Sequence, residues 1–454
     1  MTDLEPELVI RDAEVAGRRV DVAVSHGVII GFARARSLRA AGDLVDARGG
    51  ALIPGLHDHH IHLLALAAAR QSLTFDDDFV TLARLEHSSA PPGAWLRVVG
   101  YHESILGEID RAWLDDVVAD RPLRVQHRTG AMWVLNSAAL RAVGLASETG
   151  RLIGDDDVLR ARWPEADLDL GAVGRELATY GVTGVSDLTP YADLGDMRHL
   201  GDTVRRAGLA LRVMVTGGVA LAGHDDLGLP RLATKIVVAD HDLPSIESLV
   251  DMFRVARRHG RNVAVHCVTR IGLVIALAAW EEVGALPGDR IEHGAVIPLS
   301  LLPTIRDLGL CVVTQPSFVR DRGDAYLTDV DSGDIDDLWR CGSLLRAGVP
   351  VGGSTDAPFG DADPWQAIVT ATDRTTAGGR RLGPGERIAA ADALDAFLTP
   401  AHDPGGRPRQ VVVGEIADLC LLGVPLGEAL RNPHAGLVTA TFVGGRPVFY
   451  AVQT

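Results

Sequence analysis

Eight short apolar runs, separated by longer stretches, recur along the middle of this chain. They span residues 51–62, 182–188, 211–217, 234–239, 262–268, 290–296, 311–317 and 349–356. Helical periodicity marks intervening stretches such as 248–259 and 273–283. Apolar runs of this kind are typical of parallel strands that are buried on both faces and joined by helices. The pattern therefore predicts an α/β fold, a (β/α)8 TIM barrel, whose chemistry lies at the carboxyl ends of the strands.

The two ends of the chain differ from the middle. Residues 1–50 and 405–454 contain short segments of alternating apolar and polar side chains with turn residues between them. They predict one small composite β-sandwich domain, which leaves residues 51–404 for the barrel. The stretch from about 70 to 175 is too long for one crossover, so we expect an insertion after the first barrel strand that caps the barrel mouth.

Composition restricts the partners. The 454 residues carry a formal net charge of -16, which repels polyanions and argues against nucleic acid or an anionic membrane. A small-molecule substrate is the better expectation, and homo-oligomerisation stays open. The chain begins Met1-Thr-Asp-Leu-Glu without the features of a signal peptide, and its four cysteines have no C-x-x-C spacing. We therefore expect a cytoplasmic protein with reduced thiols.

The first barrel strand ends in a run of histidines, Pro54-Gly-Leu-His-Asp-His-His-Ile-His. Strand periodicity places Asp58, His60 and His62 on one face. Two imidazoles at positions i and i+2 can converge on one divalent ion, with Asp58 placed to support them. A single histidine would more often be an ordinary core residue, but a pair at the end of a strand favours a metal site.

Other strands add side chains of the same type. His266, His293 and Asp356 each end an apolar run. Burying them without a partner costs several kcal/mol or shifts their pKa values, so they should converge on something, and a metal is the economical partner. Lys235 lies on the fourth strand and is the chain's one lysine, against 43 arginines. Unlike a guanidinium, its amine can lose a proton and react, although a surface lysine kept by chance is the plain alternative.

Several of these residues stand in recognisable motifs. The motifs are Pro54 to His62, Thr234-Lys235-Ile236, Arg290-Ile-Glu-His293, Gln315-Pro-Ser-Phe318 and Gly353-Ser-Thr-Asp-Ala-Pro358. Together they resemble the amidohydrolase superfamily, in particular the YtcJ-like branch called amidohydrolase family 3. The resemblance spans nearly the whole chain, with one residue inserted in the last motif.

The resemblance implies a hydrolase with one or two divalent metal ions, zinc being the first expectation. By it, His60 and His62 hold the more buried ion with Asp356, while His266 and His293 hold the second. Lys235, carbamylated by CO2, bridges them into a binuclear metal centre. The implied reaction is hydrolysis of a non-peptide carbon–nitrogen bond in an amide, formamide or cyclic amide. A metal-activated hydroxide attacks the carbonyl carbon, and catalytic Asp356 passes the proton to the leaving nitrogen.

Substrate contacts are less well marked. Arg270 stands where the family pattern differs, and it is either a solvated arginine at a helix start or a clamp for a substrate carboxylate. His102 could replace a substrate-facing histidine that the insertion lacks, but it could equally be a surface or core residue. Trp133 and Phe318 are tentative members of the pocket, where packing explains them as well as recognition does.

Two further functions compete with amide hydrolysis. A mononuclear deaminase of a heterocyclic base shares this fold, but such enzymes place a glutamate three residues after the strand-five histidine, where this chain has Thr269. Release of ammonia from purines, pyrimidines or triazines would favour that reading. A catalytically inactive barrel acting as a binding protein should have lost metal ligands, and none is missing here.

Overall fold

The structure is a computed structural model that describes residues 6–74, 95–103, 107–127, 130, 132–153, 168–224, 226 and 228–451. The first five residues, on which the expectation of no signal peptide partly rests, lie outside the described residues, as do parts of the predicted insertion. None of the described helices is long and apolar enough to cross a membrane.

The described strands alternate with helices through most of the chain. The strands are β1 Leu8–Val15, β2 Arg18–Ser25, β3 Val28–Arg34, β4 Asp43–Asp46, β5 Leu52–Pro54, β6 Leu56–Ile61, β7 Leu73–Thr74, β8 Leu96–Tyr101, β9 Leu123–His127, β10 Met132–Leu135, β11 Arg151–Ile153, β12 Val182–Asp187, β13 Arg212–Gly217, β14 Arg231–Val237, β15 Val263–Cys267, β16 Arg290–His293, β17 Cys311–Thr314, β18 Val351–Gly353, β19 Leu419–Leu422, β20 Val438–Val443 and β21 Arg446–Tyr450. The α-helices are α1 Leu63–Arg70, α2 Arg111–Val117, α3 Ser137–Val143, α4 Leu170–Thr179, α5 Leu194–Arg206, α6 Ile246–Arg258, α7 Arg270–Val283, α8 Leu302–Asp307, α9 Ser317–Asp329, α10 Gly342–Arg346, α11 Pro364–Asp373, α12 Ala390–Leu398 and α13 Leu426–Ala429.

The predicted barrel is confirmed. Eight parallel strands follow one another in the order β6, β12, β13, β14, β15, β16, β17 and β18. The two end strands meet just beyond β18, where Asp356 N donates to His60 O at 2.8 Å and His62 N donates to Ala357 O at 2.9 Å. The closure therefore runs through the same residues that the sequence nominates as metal ligands.

The helices around the barrel begin where capping side chains allow. Ser245 and Thr269 accept hydrogen bonds from backbone N–H groups in the first turns of α6 and α7, so both helices start two or three residues before the periodic stretch that predicted them. Their inner faces bury Phe253 and Trp280 against the outside of the strands. Between β13 and β14 the described residues form only a short 3-10 turn, Val219–Leu221, so this crossover is tighter than the predicted β-α unit.

The ends of the chain build two four-stranded sheets around one core. One sheet has the order β3-β2-β1-β4 and the other β21-β20-β19-β5, and Ile10, Leu52 and Phe442 pack together between them. The predicted small domain from both termini is therefore present. Residue 52 belongs to it, although the sequence assigned 51–404 to the barrel. Gly55 joins β5 to β6, and a Cβ at this position would lie 2.1 Å from Thr183.

The insertion is compact in its own right. Leu64–Asp169 separate from the rest of the chain, which comprises Met1–Leu63 and Leu170–Thr454. Its sheet has the order β11-β10-β9-β8-β7, with β7, β8 and β9 parallel and the last two strands antiparallel. Val98, Val125 and Leu114 lie in the core beneath this sheet. The expectation that the insertion caps the barrel mouth stays a prediction.

Candidate active site

The histidine run of β6 divides its side chains between two surroundings. His57 Nε2 lies 2.8 Å from Ser186 Oγ, and His59 Nε2 lies 2.8 Å from Thr399 Oγ1. His60 and His62 instead approach the Asp356 carboxylate, with Nε2 to Oδ1 distances of 3.6 Å and 3.1 Å. Alternation along the strand explains this division, because successive side chains point to opposite faces.

His60, His62 and Asp356 form a compact set of possible metal ligands, with one donor atom from each lying within 4.8 Å of the others. His293 joins them, since its Nδ1 is 3.7 Å from Asp356 Oδ2 and its ring centre is 4.7 Å from that of His60. His266 is next in line, with its ring centre 4.4 Å from that of His293. The side chains that the sequence nominated on β6, on β15 and β16, and just after β18 therefore meet in the structure.

Lys235 completes what we call the barrel site, defined as His60, His62, Lys235, His266, His293 and Asp356. It lies on β14 beside β15, and its side chain is buried, with no hydrogen bond from Nζ to any residue that the structure describes. Burial lowers the pKa of the Lys235 amine to about 8, against the opposing charges of Glu292 and Asp356. The chain's one lysine is therefore a buried amine that loses its proton more readily than a lysine in water.

Within the described part of the chain, three buried polar atoms of this site have no hydrogen-bond partner: His60 Nε2, Lys235 Nζ and Asp356 Oδ1, the last of which has only the ion-pair contact to His62. Such atoms cost about 1–3 kcal/mol each when left unsatisfied, so native proteins rarely leave several of them together. The four imidazoles and one carboxylate of the barrel site are also a suitable donor set for a divalent ion. The residues present therefore fit the metal that the sequence predicts.

Burial favours the neutral form of three imidazoles in the barrel site, His60, His266 and His293. Burial lowers the pKa of His60 well below its usual value, and the neighbouring Lys235 acts in the same direction. Burial likewise lowers the pKa of His266 to about 3. For His293, burial and the neighbouring His266 lower the pKa well below its usual value. Neutral imidazole is the form that binds a metal, so these nitrogens need lose no proton first.

The orientation of His60 is set by groups that sequence reasoning missed. His60 Nδ1 donates to the fully buried Glu292 Oε2 at 2.5 Å, and Glu292 is in turn bound by the Arg290 guanidinium. Arg290 also donates to His59 O at 2.6 Å. With its Nδ1 proton committed, His60 presents its unprotonated Nε2 to the site. The signal was available, because Arg290 and Glu292 stand at i and i+2 in an otherwise apolar barrel strand.

His293 is oriented by a second chain of hydrogen bonds. Ser354 Oγ donates to Thr314 O at 3.1 Å and accepts from Gln315 Nε2 at 2.8 Å. That donation fixes the amide so that Gln315 Oε1 faces His293 Nδ1 at 2.9 Å. Since Oε1 can only accept, the proton is on Nδ1 and Nε2 is left unprotonated. In the sequence Gln315 was recognisable only as part of a motif, and no role could be assigned to it.

Two further contacts hold the strand ends. His62 Nδ1 is 2.9 Å from Thr189 Oγ1. Asp58 Oδ1 accepts from the backbone N–H groups of His60 and Thr355, each at 3.1 Å, so Asp58 joins β6 to the segment that follows β18. Burial raises the pKa of Asp58 to about 7.

The backbone is strained at two predicted ligands. His293 has φ 69° and Asp356 has φ 56°, both in the left-handed region. For residues other than glycine this conformation costs on the order of 1–3 kcal/mol, and such outliers cluster at functional sites. At His293 it also breaks the alternation of β16, where Glu292 already faces the site. Periodicity alone would have turned one of these two neighbours away.

The four tentative substrate residues lie in diverse surroundings. Arg270 begins α7, where its NH2 group donates to Asp334 and, at 3.0 Å, to Asp337. Phe318 is buried against Trp339, with ring centres 5.0 Å apart. Trp133 is a buried residue of the insertion, where the Arg97 guanidinium lies 5.4 Å from its ring centre. His102, also in the insertion, lies beside Glu103.

Comparison with known proteins supports the resemblance. A model of the amidohydrolase family matches residues 43–449. The N-substituted formamide deformylase of Arthrobacter pascens is 23% identical over 483 residues, covering 89% of this chain and 89% of that protein. YtcJ of Bacillus subtilis (strain 168), named as an amidohydrolase, is 23% identical over 432 residues. The match covers 80% of this chain and 81% of the YtcJ chain.

The fold comparison agrees. A solved structure described as an uncharacterized metal-dependent hydrolase from Pyrococcus horikoshii OT3 superposes with a TM-score of 0.73 at 20% identity, covering 92% of this chain and 96% of that one. With the family match over residues 43–449, the predicted enzyme class, a hydrolase of carbon–nitrogen bonds other than peptide bonds, is confirmed. The chain therefore belongs to the amidohydrolase family.

Proposed function

We propose that this protein hydrolyses an amide, formamide or cyclic amide bond of a small molecule, with one or two divalent ions held in the barrel site. The observation that carries the proposal is a set of three buried atoms without a hydrogen bond among the described residues, His60 Nε2, Asp356 Oδ1 and Lys235 Nζ. An ion would neutralise the carboxylate and accept the lone pair of His60 Nε2, and conversion of the Lys235 amine to a carbamate would make it a further ligand. Formamide hydrolysis is included because of the similarity to the Arthrobacter deformylase.

In the proposed arrangement His60, His62 and Asp356 would hold one ion, His266 and His293 would hold the second, and Lys235, as a carbamate, would contribute to both. Zinc is our first choice, since imidazole and carboxylate are its usual ligands apart from thiolate. When bound, such an ion polarises a carbonyl oxygen and makes water available as a nucleophile near neutral pH.

The chain's own residues carry the proton. Asp356 is the carboxylate at the centre of the site, 3.1 Å from His62 Nε2 and 3.6 Å from His60 Nε2. We assign it the role of taking a proton from the attacking water and delivering it to the leaving nitrogen. The carbon–oxygen bond forms, the carbon–nitrogen bond breaks, and the products are a carboxylic acid and an amine. Glu292 and Gln315 keep the imidazole Nδ1 protons away from the reacting groups.

The carbamate on Lys235 can be tested directly. Enzyme supplied with 13C-labelled bicarbonate should show a carbamate carbon signal by NMR, and Lys235→Ala should abolish it. The same variant should bind one ion fewer, because an alanine cannot bridge two cations. A full metal complement and full activity in Lys235→Ala would contradict the bridging role while leaving His60 and His62 as ligands for a single ion.

The deaminase alternative finds no support at the position that would distinguish it. Thr269 Oγ1 accepts from Gly272 N at 3.1 Å and donates to Asp240 Oδ1 at 2.7 Å. Thr269 thus caps α7, and its hydroxyl cannot replace the carboxylic acid that would donate a proton to a heterocycle. The clamp role of Arg270 remains a proposal, and a substrate carboxylate would have to compete with Asp334 and Asp337 for its guanidinium.

A substrate screen with metal-reconstituted enzyme tests the function. We expect N-formyl, N-acyl or lactam compounds to yield acid and amine with zinc, manganese or cobalt, and chelation to abolish turnover. Ammonia release from heterocyclic bases would instead identify a deaminase, and a chain that takes up no metal would be the inactive binding protein. We also propose a cytoplasmic location, in which the four buried free thiols stay reduced.

A further inference from the structure

A second group of metal-type side chains lies in the insertion. Strands β8 and β9 run parallel, and a register irregularity after Val98 brings Tyr101 opposite His127. Gly100 lies in this irregularity with φ 84°, a conformation that glycine adopts without strain. Because parallel strands end at the same edge of a sheet, His102 and Glu103 emerge beside His127. We call these three residues the insertion cluster.

The three side chains of the insertion cluster converge on one point. His127 Nε2 lies 3.2 Å from Glu103 Oε2, and His102 Nε2 lies 3.8 Å from the same oxygen. One ligand atom from each of the three lies within 4.8 Å of the others. The side chains are part-buried, with exposed fractions of 25% for His102, 38% for Glu103 and 11% for His127. The centre is therefore open to water on one side.

A simple ion pair explains only part of this geometry. His26 and Glu7 provide the comparison, because a single imidazole there lies 3.9 Å from a carboxylate and both side chains are largely exposed. In the insertion cluster two imidazoles direct the same nitrogen, Nε2, toward one carboxylate oxygen. Their rings lie 5.3 Å apart and tilted by 37°, so they converge without stacking face to face. A shared cation accounts for the convergence of both imidazoles on this oxygen.

We propose that His102, Glu103 and His127 bind a divalent transition-metal ion of the zinc class, at a site separate from the barrel site. Two imidazole nitrogens and one carboxylate oxygen match the donors that zinc takes when three protein ligands leave one position to water. Imidazole excludes calcium and magnesium as preferred ions, since these take oxygen ligands. The proposal gives His102 a metal-binding role instead of the substrate contact that the sequence suggested for it.

The experiment counts metal in the full-length enzyme. Wild type, His127→Ala and Glu103→Gln are stripped with a chelator, reloaded with Zn2+, freed of excess metal on a desalting column and measured by elemental mass spectrometry. We expect both variants to bind one ion fewer than wild type and to keep the ions of the barrel site. The matched control, His26→Ala, also removes an imidazole beside a glutamate and should bind the wild-type number. Wild-type metal content in both insertion variants overturns the proposal.

A second measurement separates this site from the barrel site. We compare the Co2+ ligand-field spectra of His60→Ala and His60→Ala/Glu103→Gln, in which the barrel site is identical, and expect the second variant to lose the part of the band that comes from the insertion cluster. Identical spectra, with the same number of bound Co2+ ions in the two variants, overturn the proposal. If His127→Ala fails to fold, the metal measurement relies on Glu103→Gln. This variant should fold, because glutamine has nearly the same shape as glutamate and the side chain is part-exposed. Loss of barrel metal in His60→Ala reports on the proposed function and leaves this site unaffected.

Discussion

The barrel site and the insertion cluster both follow the carboxyl ends of parallel strands, but their surroundings differ. In the barrel site His60 is almost fully buried, its Nε2 makes no hydrogen bond to the described residues, and its Nδ1 is fixed by Glu292. In the insertion cluster the side chains are 11–38% exposed, and Glu103 already pairs with His127 at 3.2 Å. Both places offer ligands of the same chemistry, but only the first is buried behind oriented partners.

This difference predicts two kinds of metal binding. A buried ligand with a fixed tautomer loses little entropy when an ion arrives, and the ion removes a desolvation cost that is already present. A part-exposed ligand must give up water and an existing ion pair, so its net gain is smaller. We therefore expect the barrel site to bind zinc more tightly and to be the centre that supports catalysis.

The largest expected effect comes from Asp356→Asn. The change removes both a proposed metal ligand and the group that carries the proton, so kcat/KM should fall by at least about 10³-fold, in line with the usual contribution of general acid–base groups. Steady-state kinetics with the substrate found in the screen measures the loss.

Asp361→Asn is the control, because this aspartate lies in the same loop but is exposed. It should retain activity within about 3-fold, as surface substitutions usually do. An Asp356→Asn enzyme with more than a tenth of the wild-type rate would remove Asp356 from the proposed mechanism.

A smaller effect, on zinc affinity, is expected from residues that hydrogen-bond to the proposed ligands. Gln315→Met nearly preserves volume but deletes the acceptor for His293 Nδ1, so the imidazole is no longer held in one tautomer. We expect zinc affinity to fall by about 10- to 100-fold, the usual range for losing such a supporting contact. Competition with a chromogenic chelator measures the dissociation constant.

Ser354→Ala provides the graded comparison. It removes only the far end of the same chain of hydrogen bonds, so its effect should be smaller than that of Gln315→Met. Equal zinc affinity in wild type and Gln315→Met would show that His293 needs no orientation from this side chain, and the contrast with the insertion cluster would then rest on burial alone.

The third effect concerns stability without metal. The Lys235 amine is buried without a hydrogen bond to the described residues, whereas Met is of similar length and apolar. Lys235→Met should therefore raise the unfolding free energy of the metal-free chain by about 1–3 kcal/mol, the usual cost of an unsatisfied buried polar group. Chemical denaturation of metal-stripped protein measures it, and a destabilised Lys235→Met would mean that the amine has a partner that we have not assigned.

Much of this was predictable from the sequence, because it depends on local patterns. Apolar runs separated by helical stretches gave the barrel, and a polar residue at the end of each run gave His60, His266 and Asp356. The alternation of β6 correctly separated His60 and His62 from His57 and His59.

The features that could not be predicted from the sequence depend on contacts between strands or on local backbone conformation. The hydrogen bond that His60 donates to Glu292 joins residues 232 positions apart, and no local sequence pattern links them. The left-handed φ of His293 likewise reverses the face that periodicity assigns to it. In the insertion, the irregularity at Gly100 decides that Glu103 meets His127, whereas sequence spacing suggested only an isolated His102.

The smallest expected effect lies in the insertion cluster. Because its side chains are part-exposed, His127→Ala should change the unfolding free energy of the metal-free chain by less than about 1 kcal/mol, the range of exposed ion pairs. With saturating Zn2+ the same variant should be less stable than wild type, since an ion that binds only the folded state stabilises it by mass action. Denaturation of both proteins with and without zinc measures the difference. An equal zinc-dependent gain in the two would mean that the barrel site supplies all of the metal's stabilisation, and exposure alone would then decide which clusters of histidine and carboxylate bind metal in this fold.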